Sequence, residues 1–524
     1  MSDTYDTEWR PSHSPWLITL AVLLATFMEV LDTSIANVAL PHIAGSLSAS
    51  VDEATWVLTS YLVANAIILP AASWLSMRFG RKRYLAFSVL MFTAASAFCG
   101  MAQTLPQIIV ARIFQGLGGG GLQPLVQAIL LESFPKEKRG PAMAAYGMGI
   151  VVAPIIGPTL GGWITDNFSW RWIFYINIPI GFLGLMMQSY FLEDPPYIKH
   201  SQKTKIDTIG LGLMAVWIGL LQIVLDRGQE ADWFGASWIR TSTAVIIVSL
   251  VFFVIWELRQ KHPMVNLKIL RNRNFAMATV LITVVGSILY GTTVILPIFM
   301  QNLLRYTAYI SGLAMTPRGI GSFFSMLIIG RLVTRFDARM LMTIGFIGIA
   351  LSCWYLSRIT MDITRASISW PLVLNGLSMG FIFVPMTTLS VATLKQQEIH
   401  QATGIYSLMR NIGGSFGISV LISLQARGAQ VHQAYLSSHL AASDPIYRGN
   451  LFFVAHALRS LEPHTALQTA RVILYNQLLN QSALLAIVDT FHRLMILSVC
   501  CIPLVFLFRR SHVQKITMEA ENIP

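Results

Sequence analysis

Apolar residues in this chain run in long blocks, and the polar residues collect in short breaks between them. About 20 apolar residues in helical form cross roughly 30 Å of hydrocarbon. The blocks predict fourteen membrane-spanning helices, near 16–38, 55–76, 84–102, 107–131, 142–164, 172–192, 206–225, 237–257, 275–300, 309–330, 340–357, 370–393, 403–425 and 486–508. Composition agrees: 54% of the 524 residues are hydrophobic and 12% are charged, against about 25% charged in soluble domains. The fold class expected is an all-α membrane protein.

The breaks differ in charge. Arg78, Arg81, Lys82 and Arg83 follow the second block, and Lys136, Lys138 and Arg139 the fourth. Lys199, Lys203 and Lys205 follow the sixth, and Arg259, Lys261, Lys268, Arg271 and Arg273 the eighth. Later breaks on the same side hold Arg331, Arg335, Arg339, Lys395, Arg509, Arg510 and Lys515. The alternate breaks carry isolated cations such as Arg171, Arg240 and Arg358. That asymmetry is the positive-inside pattern and places both termini in the cytoplasm. The net charge of +12 is thereby assigned to membrane topology, and no nucleic-acid partner is expected. The start MSDTYDTEWR is acidic and polar, unlike a cleaved signal, so the first block is expected to stay as a span. Cys99, Cys353, Cys500 and Cys501 lie in apolar blocks without metal-ligand spacing and read as packing residues.

An internal repeat organises the ladder. LSMRFGRKRYL from Leu75 matches LVTRFDARMLM from Leu332, and QGLGGGG from Gln115 matches NGLSMGF from Asn375 at nearly the same offset. Two parallel six-helix halves produce such a pattern, with the substrate site between them. The expected divisions are a cytoplasmic N-terminus (1–15), a six-helix bundle (16–192), a cytoplasmic linker (193–205) and two inserted helices (206–257). A second linker (258–274), a second bundle (275–508) carrying an extracytoplasmic loop (426–485), and a cytoplasmic tail (509–524) complete the chain.

Charge inside a span costs roughly 2.5–3.5 kcal/mol by insertion scales. Glu29 and Asp32, in TFMEVLDTSIANVALP, are three residues apart and project from one helix face. Span four supplies a cation: Arg112, Gln115, Gly116, Gly119, Gln123 and Gln127 recur at intervals of three and four and form one polar stripe. Arg112 needs an anion, and either acid can serve. The pair reads either as a permanent lock between helices or as a proton-sensitive contact. Arg318 and Arg410, in spans ten and thirteen, either line a cavity or reach toward the membrane surface. Asn37, Asn65, Gln115, Gln123 and Tyr290 are the candidate polar contacts to a substrate.

Span five carries small residues at every fourth position, Gly149, Ala153, Gly157 and Gly161, with Pro154 and Pro158 beside them. Such a face lets two backbones approach closely. It serves either plain helix packing or a seam that opens and closes.

These motifs resemble a known family. LDTSIANVALP, RFGRKR, RIFQG and GPTLGG resemble, in order, the D, A, B and C motifs of the major facilitator superfamily. Fourteen spans and LDRGQEADWF after span seven look like its fourteen-span drug:proton antiporters of the EmrB type. The resemblance implies two six-helix bundles plus two inserted helices, alternating access, and export of hydrophobic or amphipathic compounds driven by the proton gradient without a cofactor. By motif position Asp32 resembles the span-one acid, Arg112 the span-four arginine, and Gly157, Pro158, Gly161 and Gly162 the antiporter seam. Ser73 and Met77 stand where the A motif has Gly and Asp, so a cytoplasmic gate falls to Arg78, Gly80, Arg81 and Lys82. The EmrB type also implies the bacterial inner membrane, a periplasmic membrane-fusion adaptor and, through it, an outer-membrane channel.

The 426–485 loop has Leu467, Leu474, Leu478 and Leu485 at helical intervals and reads as an amphipathic helix or hairpin, either facing an adaptor or capping the outer mouth. Its histidines, His432, His439, His456 and His464, lack tight metal spacing. A proton-coupled uptake transporter on the same fold is the alternative function, and the GPTLGG seam argues against it. Neither a GxxxxGK[ST] phosphate loop nor an HExxH metal helix occurs, so an enzyme is not expected.

Overall fold

The computed structural model describes residues 11–195, 207–260, 263–395, 398–440, 444–458 and 465–509. Lys199, Lys203, Lys205, Lys261, Arg510, Lys515 and His464 lie outside them. Within lipid every backbone polar group needs an internal partner, which selects helices. The described residues form helices and no strand.

The N-terminal part contains α1 (Pro15–Ser46), the short α2 (Val51–Ala54), α3 (Trp56–Phe79), α4 (Arg81–Met101), α5 (Leu105–Gly119), α6 (Leu122–Ser133), α7 (Arg139–Asn167), α8 (Trp172–Tyr175) and α9 (Asn177–Phe191). Then come α10 (Thr208–Arg227) and α11 (Ser237–Arg259). The C-terminal part has α12 (Arg273–Ile298), α13 (Ala308–Leu332), α14 (Ala338–Leu356), α15 (Arg365–Val391), α16 (Ile399–Ser437), α17 (Pro445–Leu458) and α18 (Ala466–Val505). Among the described residues, 13 helices are long and apolar enough to cross a membrane.

The expected span 107–131 departs from a single helix. It is split into α5 and α6 at Gly120–Gly121. Pro124 has no N–H to give the Gly120 carbonyl, and the glycines are held by close neighbours: a Cβ on Gly118 would lie 2.8 Å from the Phe92 nitrogen, and one on Gly121 2.6 Å from the Tyr84 hydroxyl. The last two spans are also longer than expected. α16 continues past residue 425 to Ser437, and α18 begins at Ala466 rather than 486. At 1.5 Å per residue each is about 60 Å long, twice the hydrocarbon thickness. They run beside each other, so much of the 426–485 loop is a helical projection. On α18, Ala466, Ala470 and Leu478 are buried, whereas Leu467 is exposed.

Two large core clusters each centre on one half and reach into the other. Met28, Phe92, Val126 and Tyr146 belong to one drawn mainly from the N-terminal part, joined by Met326 and Val384, and Ile282, Phe346, Ile382 and Phe491 to one drawn mainly from the C-terminal part, joined by Leu69 and Trp74. α7 lies between them, against α1 on one side and α13 on the other. The inserted α10 rests on both α3 and α16. It bonds to each: Asp226 accepts from Thr59, Gln222 accepts from Ser415 at 3.0 Å, and Ser419 donates to the Leu225 carbonyl at 2.7 Å.

The two matching cytoplasmic turns are capped differently. Asp337 caps α14 from its own N-terminus, its carboxylate accepting from the Arg339 amide at 3.0 Å. The equivalent position before α4 is Gly80, at φ +90°, and Asp194 from beyond α9 accepts from the Lys82 amide at 2.9 Å. A Cβ on Gly80 would lie 2.7 Å from Asp194 Oδ2. Gly80→Ala is expected to cost about 1–3 kcal/mol, because its positive φ with ψ of 144° is a backbone region that residues with a Cβ rarely enter, read as a lower thermal midpoint in detergent. An unchanged midpoint would remove this account of the turn.

Candidate functional site

Both acids of α1 are buried, with 4% exposure for Glu29 and 2% for Asp32, and they meet different partners. Arg112 Nη1 donates to Asp32 Oδ2 at 2.5 Å. Asp32 Oδ1 accepts from Gln115 Nε2 and Asn177 Nδ2, each at 2.8 Å. Arg112 also donates to the Val57 carbonyl at 2.9 Å and to Gln115 Oε1 at 2.8 Å. Its guanidinium lies 4.4 Å from the Tyr61 ring centroid, a cation–π distance. Ser96 Oγ accepts from Gln115 Nε2 at 2.6 Å and closes the cluster. All of these donors come from the N-terminal part, and α1, α5 and α9 are locked together by them.

Glu29 lies one turn nearer the start of α1 and, among the described residues, has no arginine within ion-pair distance. Its Oε1 accepts from Asn65 Nδ2 at 3.1 Å and from Gln123 Nε2 at 3.2 Å. Its Oε2 is buried with no hydrogen-bond partner among the described residues. The Gln123 carbonyl oxygen accepts from Arg410 Nη2 of α16, so the polar chain crosses from one half to the other. Tyr146 donates to the Gln123 backbone carbonyl at 3.2 Å and stacks on Phe383 of α15 at 6.3 Å. Tyr290, on α12, faces Arg410.

The candidate substrate contacts therefore separate. Asn65, Gln123 and Arg410 gather around Glu29, with Tyr290 beside Arg410. Gln115 is sealed inside the Asp32–Arg112 cluster. Asn37 is exposed and donates to the Thr33 carbonyl of its own helix at 2.9 Å. Arg318 is buried rather than extended to the membrane surface, donating to Thr293 Oγ1 at 2.9 Å and the Leu289 carbonyl at 3.3 Å; Arg410 is buried too.

The small residues of α7 use two faces. A Cβ on Gly157 would fall 2.6 Å from Ser34 Cβ, and one on Gly161 2.9 Å from Ile35 Cγ2, both on α1. Gly149 meets Leu23 at 3.3 Å, and Ala153 is fully buried. Gly162 has only Val38, at 4.0 Å. Pro158 cannot donate to the Pro154 carbonyl, and Ser34 Oγ stands 3.5 Å from that oxygen as a substitute donor. On the other face Gly147 packs on Met326 and Pro158 on Gly312 of α13.

At the cytoplasmic turn, Arg81 Nη2 pairs with Glu132 Oε2 at 2.5 Å, with both side chains buried. Lys82 Nζ donates to the Ser189 carbonyl at 2.5 Å, and Arg78 is half-buried. Glu132, Asp194, Asn177 and Ser96 are site residues that motif reading passed over. Each is a polar residue in or beside an apolar block, the one sequence signal available. Among the described residues no cluster of three or more His, Cys, Asp or Glu could hold a metal; His432 bonds Asp489 at 2.9 Å.

A family model described as Major Facilitator Superfamily matches residues 22–418. The chain belongs to the Major Facilitator Superfamily. Within it, the chain is 39% identical over 433 residues to the multidrug export protein EmrB of Haemophilus influenzae, covering 82% of this chain and 84% of that one. It is 38% identical over 427 residues to the fatty acid resistance protein FarB of Neisseria gonorrhoeae, covering 81% and 83%. Among solved structures it resembles the proton:xylose symporter XylE, with a TM-score of 0.55 at 16% identity over 81% of this chain and 90% of that one. That likeness concerns the fold. The protein is an EmrB-type multidrug efflux transporter of this superfamily and a multi-pass membrane protein.

Proposed function

We propose that this transporter is a proton-coupled antiporter that exports hydrophobic or amphipathic toxic compounds across the bacterial inner membrane, both termini cytoplasmic. The observation that carries the reading is the pair of buried carboxylates on one face of α1, one bonded to Arg112 and the other facing the junction of the halves. Buried carboxylates in a membrane mark ion pathways. The proton gradient supplies the drive, with no cofactor, and α7, packed on both halves, is the seam about which they rock.

The transporter works as the inner-membrane subunit of a tripartite pump, with a periplasmic membrane-fusion adaptor leading to an outer-membrane channel. The projection of α16 and α18 beyond the bilayer supports this, as do the exposed Tyr435, Phe452 and Phe453 on and beside it. In proteoliposomes with an imposed pH gradient and ethidium as the probe, the wild type should export and the Glu29→Gln, Asp32→Asn double variant should not. Equal gradient-driven export by both would reject proton coupling through these acids.

A further inference from the structure

We propose that the coupled proton is carried by Glu29, and that Gln123 relays its charge to Arg410 in the opposite half, while Asp32 serves as the structural partner of Arg112. This rests on the antiporter reading above and goes beyond it by dividing the labour of the two acids.

The difference lies in how each carboxylate is satisfied. Asp32 has a direct guanidinium partner and two amide donors, all within the N-terminal half. Taking one charge from a buried pair of that kind is strongly destabilising. A change of charge there also has no bonded route into the other half among the described residues. Glu29 has two neutral amide donors and one oxygen unbonded among the described residues. A buried carboxylate without a direct cation is poorly compensated, and Oε2 is the open position for a proton.

The groups that face Glu29 are Asp32 on its own helix, Tyr61 and Asn65 on α3, Gln123 on α6, Tyr146 on α7 and Arg410 on α16, with Tyr290 of α12 beside Arg410. Arg410 is the one of these that carries positive charge. Gln123 suits a relay because its amide donates and accepts at once: its N–H₂ faces Glu29 and its carbonyl oxygen faces Arg410. Hydrogen bonds to an ionised group are about twice as strong as neutral ones. With Glu29 ionised, the chain Glu29–Gln123–Arg410 holds the halves together at their centre. When a proton from outside settles on Oε2, the amide bond becomes a neutral one and Arg410 loses its long-range anion. The inter-half link weakens, and the proton leaves Glu29 on the opposite side once the halves have rocked. The link has two strengths set by one proton, the differential contact that a two-state change requires.

The test uses the full chain, with its native cysteines replaced, in lipid nanodiscs. Spin labels at Asp166 and Tyr309 report the distance between the outer ends of α7 and α13 as pH is varied. The wild-type distribution should titrate; Glu29→Gln should abolish the titration, and Asp32→Leu combined with Arg112→Met, which removes both charges of the buried pair together, should preserve it. Gln123→Leu should move the midpoint by about one pH unit or more, a ten-fold change in proton affinity, and Arg410→Lys, which keeps the cation, should titrate. A structural role for Gln123 would lower thermal stability without moving the midpoint. The relay is overturned if Gln123→Leu titrates as the wild type does, if the folded Asp32→Leu, Arg112→Met protein no longer titrates, or if the wild type does not titrate. A wild type that exports in proteoliposomes while any of these holds loses the relay and keeps the antiporter reading; a wild type that exports nothing under the gradient loses both.

Discussion

Arg112→Met should lower the stability of the folded protein by about 3–5 kcal/mol, because it leaves the Asp32 carboxylate buried without its cation. Asp32 is 2% exposed and Arg112 fully buried, so water cannot replace the lost partner. The double replacement Asp32→Leu with Arg112→Met removes both charges and should recover most of that loss, since apolar pairs often substitute for buried ion pairs at little cost. Recovery will be incomplete: Gln115 and Asn177 lose their shared acceptor. Thermal unfolding in detergent, followed by the fraction remaining monodisperse, measures each. An Arg112→Met protein as stable as the wild type would show that another group compensates Asp32.

The second large effect belongs to the seam. Gly157→Leu should reduce gradient-driven export by ten-fold or more and destabilise the protein by about 1–3 kcal/mol, the range for overpacking a filled interior. The first added carbon meets Ser34 Cβ at 2.6 Å, so α1 and α7 must separate. Moving Ser34 also removes the donor facing the Pro154 carbonyl, which Pro158 leaves without its helical bond. Because α7 also packs on α13, the disturbance reaches the other half. Gly212→Ala on α10, where an added Cβ meets nothing within 4 Å, is the control for losing a glycine. If Gly157→Leu exports at the wild-type rate, the α1–α7 contact is not part of the moving seam.

Some of the site was legible in the chain and some was not, for definite reasons. The polar stripe of Arg112, Gln115 and Gln123 followed from helical spacing, since residues three and four apart share a face. The same spacing placed Glu29 and Asp32 together, and could not say which acid takes Arg112. That choice depends on the offset between helices whose residues are 80 apart in sequence. Gln115 and Gln123 were alike as candidates on the stripe, yet the break at Gly120–Gly121 lies between them. One faces Asp32 and the other Glu29 and Arg410. Asn177 and Ser96 carried no motif, and only packing brings them to Asp32 and Gln115.

The sequence by itself determined where the apolar blocks lie, which breaks carry the cations, and which residues are charged where charge is expensive. Those properties follow from bilayer thickness and desolvation, which act on each segment separately. Tertiary structure alone decided the partners. It assigned Arg112 to Asp32, joined Arg81 to Glu132, supplied Asp194 as the cap for α4, and ran the Gln123–Arg410 bond between halves. It also decided that α16 and α18 run on as single helices of about 60 Å, twice the hydrocarbon thickness, because their outer turns, mixed in polarity, pack on each other.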